Sequence, residues 1–462
     1  MMTPCLASPL KSNMTTAAQL SDEFLCEIFQ LLCDEPIYLN VLDNTSLFDK
    51  FPWAVGLVCK RWRAVFLSNP RLWTSFDLGD GTYSDSYIAE MNRRTAMYVE
   101  RSSQLPLTIA IAAHHPGMQS TWRILLSLSH RWKAANLELH APILDDIRKC
   151  KGKLPILESL EVWNLASLHI DTFESAPRLV QANLLGWLDR FELLPLSQLT
   201  KVTMSTGLAS RADALRMHSI LPALGNVEEL WLTSVSLDTV IPKCSPVRLT
   251  RLRILDISRP VVLSWIDAPS LEHLHVEAHS RDRHLYREQI SSLVQRSSCH
   301  IRQLTLEGCD IRTATTIMDI LTDVKKLSIV GSSVDDSCSL FMDIASSIYL
   351  PVLEVLEMTV QPKDAAVKVV NSISHSLKSC RWSGKSRTIP LERVMIQLEW
   401  EDEEQIFFVD ITGESWPTWP SFVATEVVRS GLGFPQSTII NISFVQTPEA
   451  EVYCPKCGRS AQ

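Results

Sequence analysis

The chain is 462 residues long, with 46% hydrophobic and 21% charged residues and a formal net charge of −8. That length exceeds what one hydrophobic core supports, so several domains or a repeat architecture is expected, and the composition excludes wholesale disorder. The acidic balance lacks the electrostatic footprint of a nucleic-acid-binding protein; the short basic run Lys60, Arg61, Arg63 reads as the solvated face of a helix.

Residues 1–19 (MMTPCLASPLKSNMTTAAQ) are read as a disordered segment with no apolar stretch long enough for a signal peptide. No later run approaches the length of a membrane span, so an intracellular protein, cytoplasmic or nuclear, is expected. The 12 cysteines are scattered singly, which reads as reduced thiols rather than a disulfide scaffold.

From Leu20 the sequence LSDEFLCEIFQLL places apolar residues at Leu20, Phe24, Leu25, Ile28, Phe29, Leu31 and Leu32, a helical period. Ser21 is positioned as the N-cap, with Asp22 and Glu23 in a first turn that favours carboxylates. Cys33 to Phe51 is loop-like, with Asp34, Glu35, Pro36, Asn40, Asp43, Asn44 and Asp49. Pro52 then opens a second helical stretch in which Val55, Val58, Trp62, Val65 and Phe66 share one face, stopped at Ser68-Asn69-Pro70. So small a helical module cannot bury all of its apolar surface alone, so part of it is expected to be docking surface.

LSDEFLCEIFQLL followed by VCKRWRAVFLSNPRLWTSFDL resembles the F-box, the helical motif by which substrate receptors attach to the Skp-type linker of a cullin–RING ubiquitin ligase. The resemblance covers residues 20–78. It implies that Leu20, Leu25, Ile28 and Phe29, with Val58, Cys59 and Trp62, pack the module or bind the linker. Two features depart from the family pattern: Ser21 stands where proline is usual, and the segment from Cys33 to Phe51 is longer than the usual connection.

Residues 79–124 read as a linker and a capping strand at Leu107–Ile111. A repeated pattern, apolar-x-x-apolar-x-apolar, follows. It recurs at Trp132/Ala135/Leu137, Leu157/Leu160/Val162, Leu179/Ala182/Leu184, Leu199/Val202/Met204 and Val227/Leu230/Leu232. It continues at Leu252/Leu255/Ile257, Leu271/Leu274/Val276, Ile301/Leu304/Leu306, Val324/Leu327/Ile329 and Leu353/Leu356/Met358, with a weaker match at Leu377/Cys380/Trp382. Successive first members lie 19 to 30 residues apart. The expected fold is therefore α+β: a small N-terminal helical F-box followed, over residues 125–390, by an irregular leucine-rich-repeat α/β solenoid. In residues 391–462, VMIQLEW and QIFFVDI flank EDEE and read as a terminal hairpin, followed by an irregular tail.

Alternation along such strands turns the residues between the triplets to the open face: Glu161, Trp163, Asn183, Lys201, Glu229, Trp231, Asp256, His273, His275, Glu277, Lys326, Glu357 and Arg381. Aromatic and cationic anchors dominate most recognition surfaces, so Trp163, Trp231, His273, His275 and Arg381 are the expected target-binding residues. No phosphate-binding glycine loop, nucleophile elbow or HExxH motif is present, and no catalytic residue or cofactor is expected. Cys454 and Cys457 in CPKCG have the shape of half a zinc site, but no second pair follows, and no metal is assigned. The resemblance and the array together imply a non-catalytic substrate receptor of an SCF-type ligase, or else a leucine-rich scaffold detached from any ligase. Its partners would be a Skp-type linker, through it a cullin, and an unidentified target protein, without nucleic acid or membrane.

Overall fold

The computed structural model describes residues 20–31, 37–38, 55–78, 85–113, 116–139, 145–163, 170–186, 191–206, 211–234, 244–277, 283–332, 339–340, 343–344, 349–360, 393–399, 406–412, 427–428 and 439–440. The protein is of mixed α/β class, built on parallel strands flanked by helices. It forms two compact units: Met1–Leu160 with Ser167–Arg178, and Glu161–Ala166 with Leu179–Gln462. The expected segment 1–19 lies outside the described residues.

In the first unit, helix α1 (Asp22–Leu31) starts as expected: Ser21 Oγ accepts from Phe24 N at 3.4 Å, and Ser21 O accepts from Leu25 N at 3.1 Å. The short strand β1 (Ile37–Tyr38) follows. The single helix expected after Pro52 is instead two, α2 (Val55–Val58) and α3 (Lys60–Ser68). The break falls at Cys59, which is extended (φ −160°, ψ 169°) and caps α3 by accepting from Trp62 N at 3.4 Å through its thiol sulfur. Val65 and Phe66 stay buried, while Val58, on the far side of the break, turns outward.

Strand β2 (Ser75–Leu78), helix α4 (Asp85–Arg101), strand β3 (Leu107–Ala113), helix α5 (Gln119–Ser127) and strand β4 (Trp132–Leu139) follow in this unit. Strands β1 to β4 pair in sequence order, all parallel. Residues 79–124 are thus more than a linker and a strand. Ile88, Met91, Thr95 and Tyr98 recur every three or four residues and bury one face of α4. Nor does the helical module stand apart, since α1–α3 share one compact unit with β1–β4.

Trp73 is fully buried at the centre of this packing. Its ring lies 5.0 Å from Phe66 and 4.9 Å from Tyr98, its indole N–H donates to Phe66 O at 3.3 Å, and the Arg101 guanidinium sits 4.4 Å over it. Arg131 is buried too, and is satisfied by donating to Leu105 O (2.9 Å) and Ser102 Oγ (2.8 Å).

Strand β5 (Ser159–Trp163) contains the point where the units divide. The second unit continues with β6 (Gln181–Leu185), β7 (Lys201–Thr206), α6 (Arg211–Ile220), β8 (Glu229–Ser234), β9 (Val247–Arg248) and β10 (Ile254–Ile257). Then come β11 (Ile266–Asp267), β12 (His273–Glu277), α7 (Arg283–Ser297), β13 (Gln303–Glu307) and α8 (Ile311–Met318). Strands β14 (Lys326–Ser332), β15 (Val355–Val360), β16 (Arg393–Glu399) and β17 (Ile406–Thr412) follow, and then β18 (Val427–Val428) and β19 (Ile439–Ile440), which pair with each other antiparallel.

Its main sheet runs β6-β7-β8-β10-β12-β13-β14-β15-β16-β17, parallel up to β16; β9 and β11 form a separate small pair. The terminal hairpin is present as β16 against β17, antiparallel, with Arg393 opposite Thr412. Every residue of the ten triplets from Trp132 to Met358 is at most 3% exposed, whereas Leu377/Cys380/Trp382 lies outside the described residues. The register explains this burial. Val202, Leu230, Leu255, Leu274, Leu304, Leu327 and Leu356 are successive partners across seven strands, forming an apolar row through the core. Where β13 ends, Gly308 adopts φ +62° and donates to Val330 O at 2.9 Å, a backbone conformation that suits glycine.

Candidate functional site

Two surfaces correspond to the residues singled out by sequence. The first is helical. Leu25 and Phe29 are fully buried and so take the packing side of the expectation, with the Phe29 ring tilted at 60° against Trp62, 5.4 Å between centroids. Leu20, Ile28 and Trp62 are half-buried, and Cys59 is exposed while its sulfur caps α3. Val58 is 60% exposed.

Sequence reasoning left out Phe24, Leu31 and Leu57 as surface residues, although they are 65%, 71% and 57% exposed. The signal was present in α1. Phe24, Ile28 and Leu31 form one stripe at offsets of four and three, and Leu25 with Phe29 forms a second stripe beside it. One helix cannot bury both stripes against a single neighbour.

Arg61 holds this surface in place. It donates to Asp22 Oδ1 from Nε (2.9 Å) and Nη2 (2.7 Å), and also to Leu20 O, fastening α3 to the start of α1. The expected solvated role describes Lys60 and Arg63, which are exposed, but not Arg61.

The second surface is the sheet face opposite the leucine row in the second unit. One line across it runs Lys201, Glu229, Ile254, His273, Gln303, Lys326. The next runs Thr203, Trp231, Asp256, His275, Thr305, Ser328, Glu357. Lys201 Nζ lies 3.0 Å from Glu229 Oε2 and 5.0 Å from the centre of the Trp231 ring, which is 37% exposed. Lys326 pairs with Glu357 at 2.8 Å.

Between these two pairs, His275 Nδ1 contacts Asp256 Oδ2 and His275 Nε2 lies 3.2 Å from Glu307 Oε2. Asp256, expected to be exposed, is only 8% exposed and contacts the imidazole. His273 Nε2 meets Thr305 Oγ1 at 3.0 Å.

The two histidines are tuned in opposite directions. Burial disfavours the His275 cation, but the hydrogen-bonded Asp256 carboxylate and then Glu307 outweigh it and raise its pKa above the ordinary value. Burial lowers His273, and the nearby His275 and Lys326 lower it further. With carboxylates at both ring nitrogens, His275 belongs to an ion-pair network and does not face a nucleophile. Among the described residues no group of three or more His, Cys, Asp or Glu side chains could hold a metal ion.

Trp163, on β5, is 44% exposed, and its indole N–H donates to Glu161 Oε1 at 2.8 Å. Arg381, Cys454 and Cys457 lie outside the described residues. Among the described residues, no helix is long and apolar enough to cross a membrane. Comparison with known proteins finds no matching family model and no matching curated protein.

Proposed function

We propose that this chain is a non-catalytic substrate receptor of an SCF-type ubiquitin ligase. Its N-terminal helices dock on a Skp-type linker, and its sheet face holds a target protein for ubiquitin transfer by a neighbouring subunit. The observation that carries the reading is where apolar surface is left uncovered: Phe24 and Leu31 on α1, and Leu57 and Val58 on α2, are all more than half exposed. Exposed apolar side chains concentrated on two short helices are characteristic of an interaction site. They fall within the stretch that resembles the F-box. The in-order parallel strands and the buried leucine row support reading the remainder as a leucine-rich-repeat solenoid. Its open face, with Trp163, Trp231, His273 and His275, has the aromatic and charged anchors of a recognition surface.

The test is a pull-down of purified Skp-type linker by the wild-type chain and by a Leu57→Asp/Val58→Asp variant. Both side chains are exposed, so the variant should melt like wild type. Capture by wild type and loss in the variant support the receptor. No capture by folded wild type removes the ligase assignment and leaves an interaction scaffold.

A further inference from the structure

The network around His275 joins three neighbouring strands of the second unit: Asp256 from β10, His275 from β12 and Glu307 from β13. We propose that His275 is a proton-operated latch that sets the charge and the freedom of Glu307 on the open sheet face.

Asp256, 8% exposed, sits beneath the imidazole at Nδ1 and fixes the N–H there in either protonation state. Glu307, its side chain 48% exposed, lies 3.2 Å from the other nitrogen, which is itself buried. When His275 is a cation, Nε2 carries a proton and attracts the Glu307 carboxylate. When it is neutral, Nε2 carries a lone pair 3.2 Å from that carboxylate, the attraction becomes repulsion, and Glu307 swings into solvent beside Glu277, its register partner on β12. The remaining charged groups are placed to bias the latch rather than replace it. His273 and Glu277 flank His275 on β12, and Lys326 on β14 is held by Glu357. Losing one proton at His275 therefore exposes a second carboxylate next to Glu277 and makes the centre of the face more acidic. This behaviour is intrinsic to the chain and holds whatever the face binds.

Histidine-selective isotope labelling of the full chain, followed by NMR titration, tests the latch; a His275→Asn variant identifies the signal. In wild type the His275 resonance is expected to titrate above the value of about 6.5 for free histidine. In Glu307→Gln, a change at a half-exposed side chain that leaves the fold intact, it should fall by roughly one unit, as loss of a close opposite charge predicts. Titration of His275 at or below the free-histidine value overturns the proposal, as does an unchanged value in Glu307→Gln.

Discussion

Arg61 and Asp22, 39 residues apart, form a doubly hydrogen-bonded ion pair at 2.7 Å that fastens one short helix to the beginning of another. The pair is open to solvent, with side chains 39% and 62% exposed, so its electrostatic worth is small. Asp22→Asn is expected to cost less than about 1 kcal/mol in urea denaturation. Arg61→Ala also removes the bond to Leu20 O, and should cost more than Asp22→Asn. Equal costs for the two variants would show that the backbone bond contributes nothing.

Cys59 performs with sulfur the capping task usually given to oxygen. Cys59→Ser offers a better acceptor to the same amide and should hold or slightly raise the melting temperature. Cys59→Ala leaves Trp62 N without its partner and should cost about 0.5–2 kcal/mol. Calorimetry of the two variants decides: a serine variant as destabilised as the alanine one would mean that the thiol acts by packing.

In the first unit, Trp73 is the residue whose loss should be felt most. Trp73→Ala empties a fully buried site that touches Phe66, Tyr98 and Arg101, at a cost of about 3–5 kcal/mol. Trp73→Phe keeps most of the apolar volume but loses the bond to Phe66 O, so its denaturation midpoint should lie between those of wild type and Trp73→Ala.

Asp77, on β2, gives the first unit a pH dependence. Burial pushes its carboxyl up to about 6. A folded-state value above the unfolded one means that stability is fully present below about pH 4 and is lost as the pH rises through about 6. Asp77→Asn should therefore stabilise at about pH 7.5 by on the order of 2 kcal/mol more than it does near pH 4. Urea midpoints of both proteins at the two pH values measure this, and an equal effect at both would refute it.

The parts of the fold that were legible in sequence are those in which one physical term dominates. Leu230 and Leu255 repeat because each must fill the same row of one core, so the period survives even where the return segments differ in length. Ser21 is readable as a cap because its chemistry is local. The helix break at Cys59 was not legible: Val55, Val58 and Trp62 keep helical spacing straight across it, and cysteine is a rare cap. Helix α4 was obscured because Thr95 and Tyr98 occupy its buried stripe, where an apolar pattern would show leucine or valine. On the sheet face, alternation placed Trp231 and His275 correctly. It could not tell that His275 would pair with Asp256, because that depends on a partner one strand away.

In-order pairing gives the second unit a particular mechanical character. Among the described residues, each strand of the main sheet from β6 to β17 is hydrogen-bonded to the strands just before and after it in the series. Tension applied between the ends of this unit therefore acts on one junction at a time, and the sheet peels. From β6 to β15, each event frees a strand and its return segment, 19 to 30 residues from one strand start to the next. That corresponds to roughly 60–110 Å of newly extended chain per step. Under load the unit lengthens as a staircase, and whatever remains folded at any moment still shows an intact stretch of the open face.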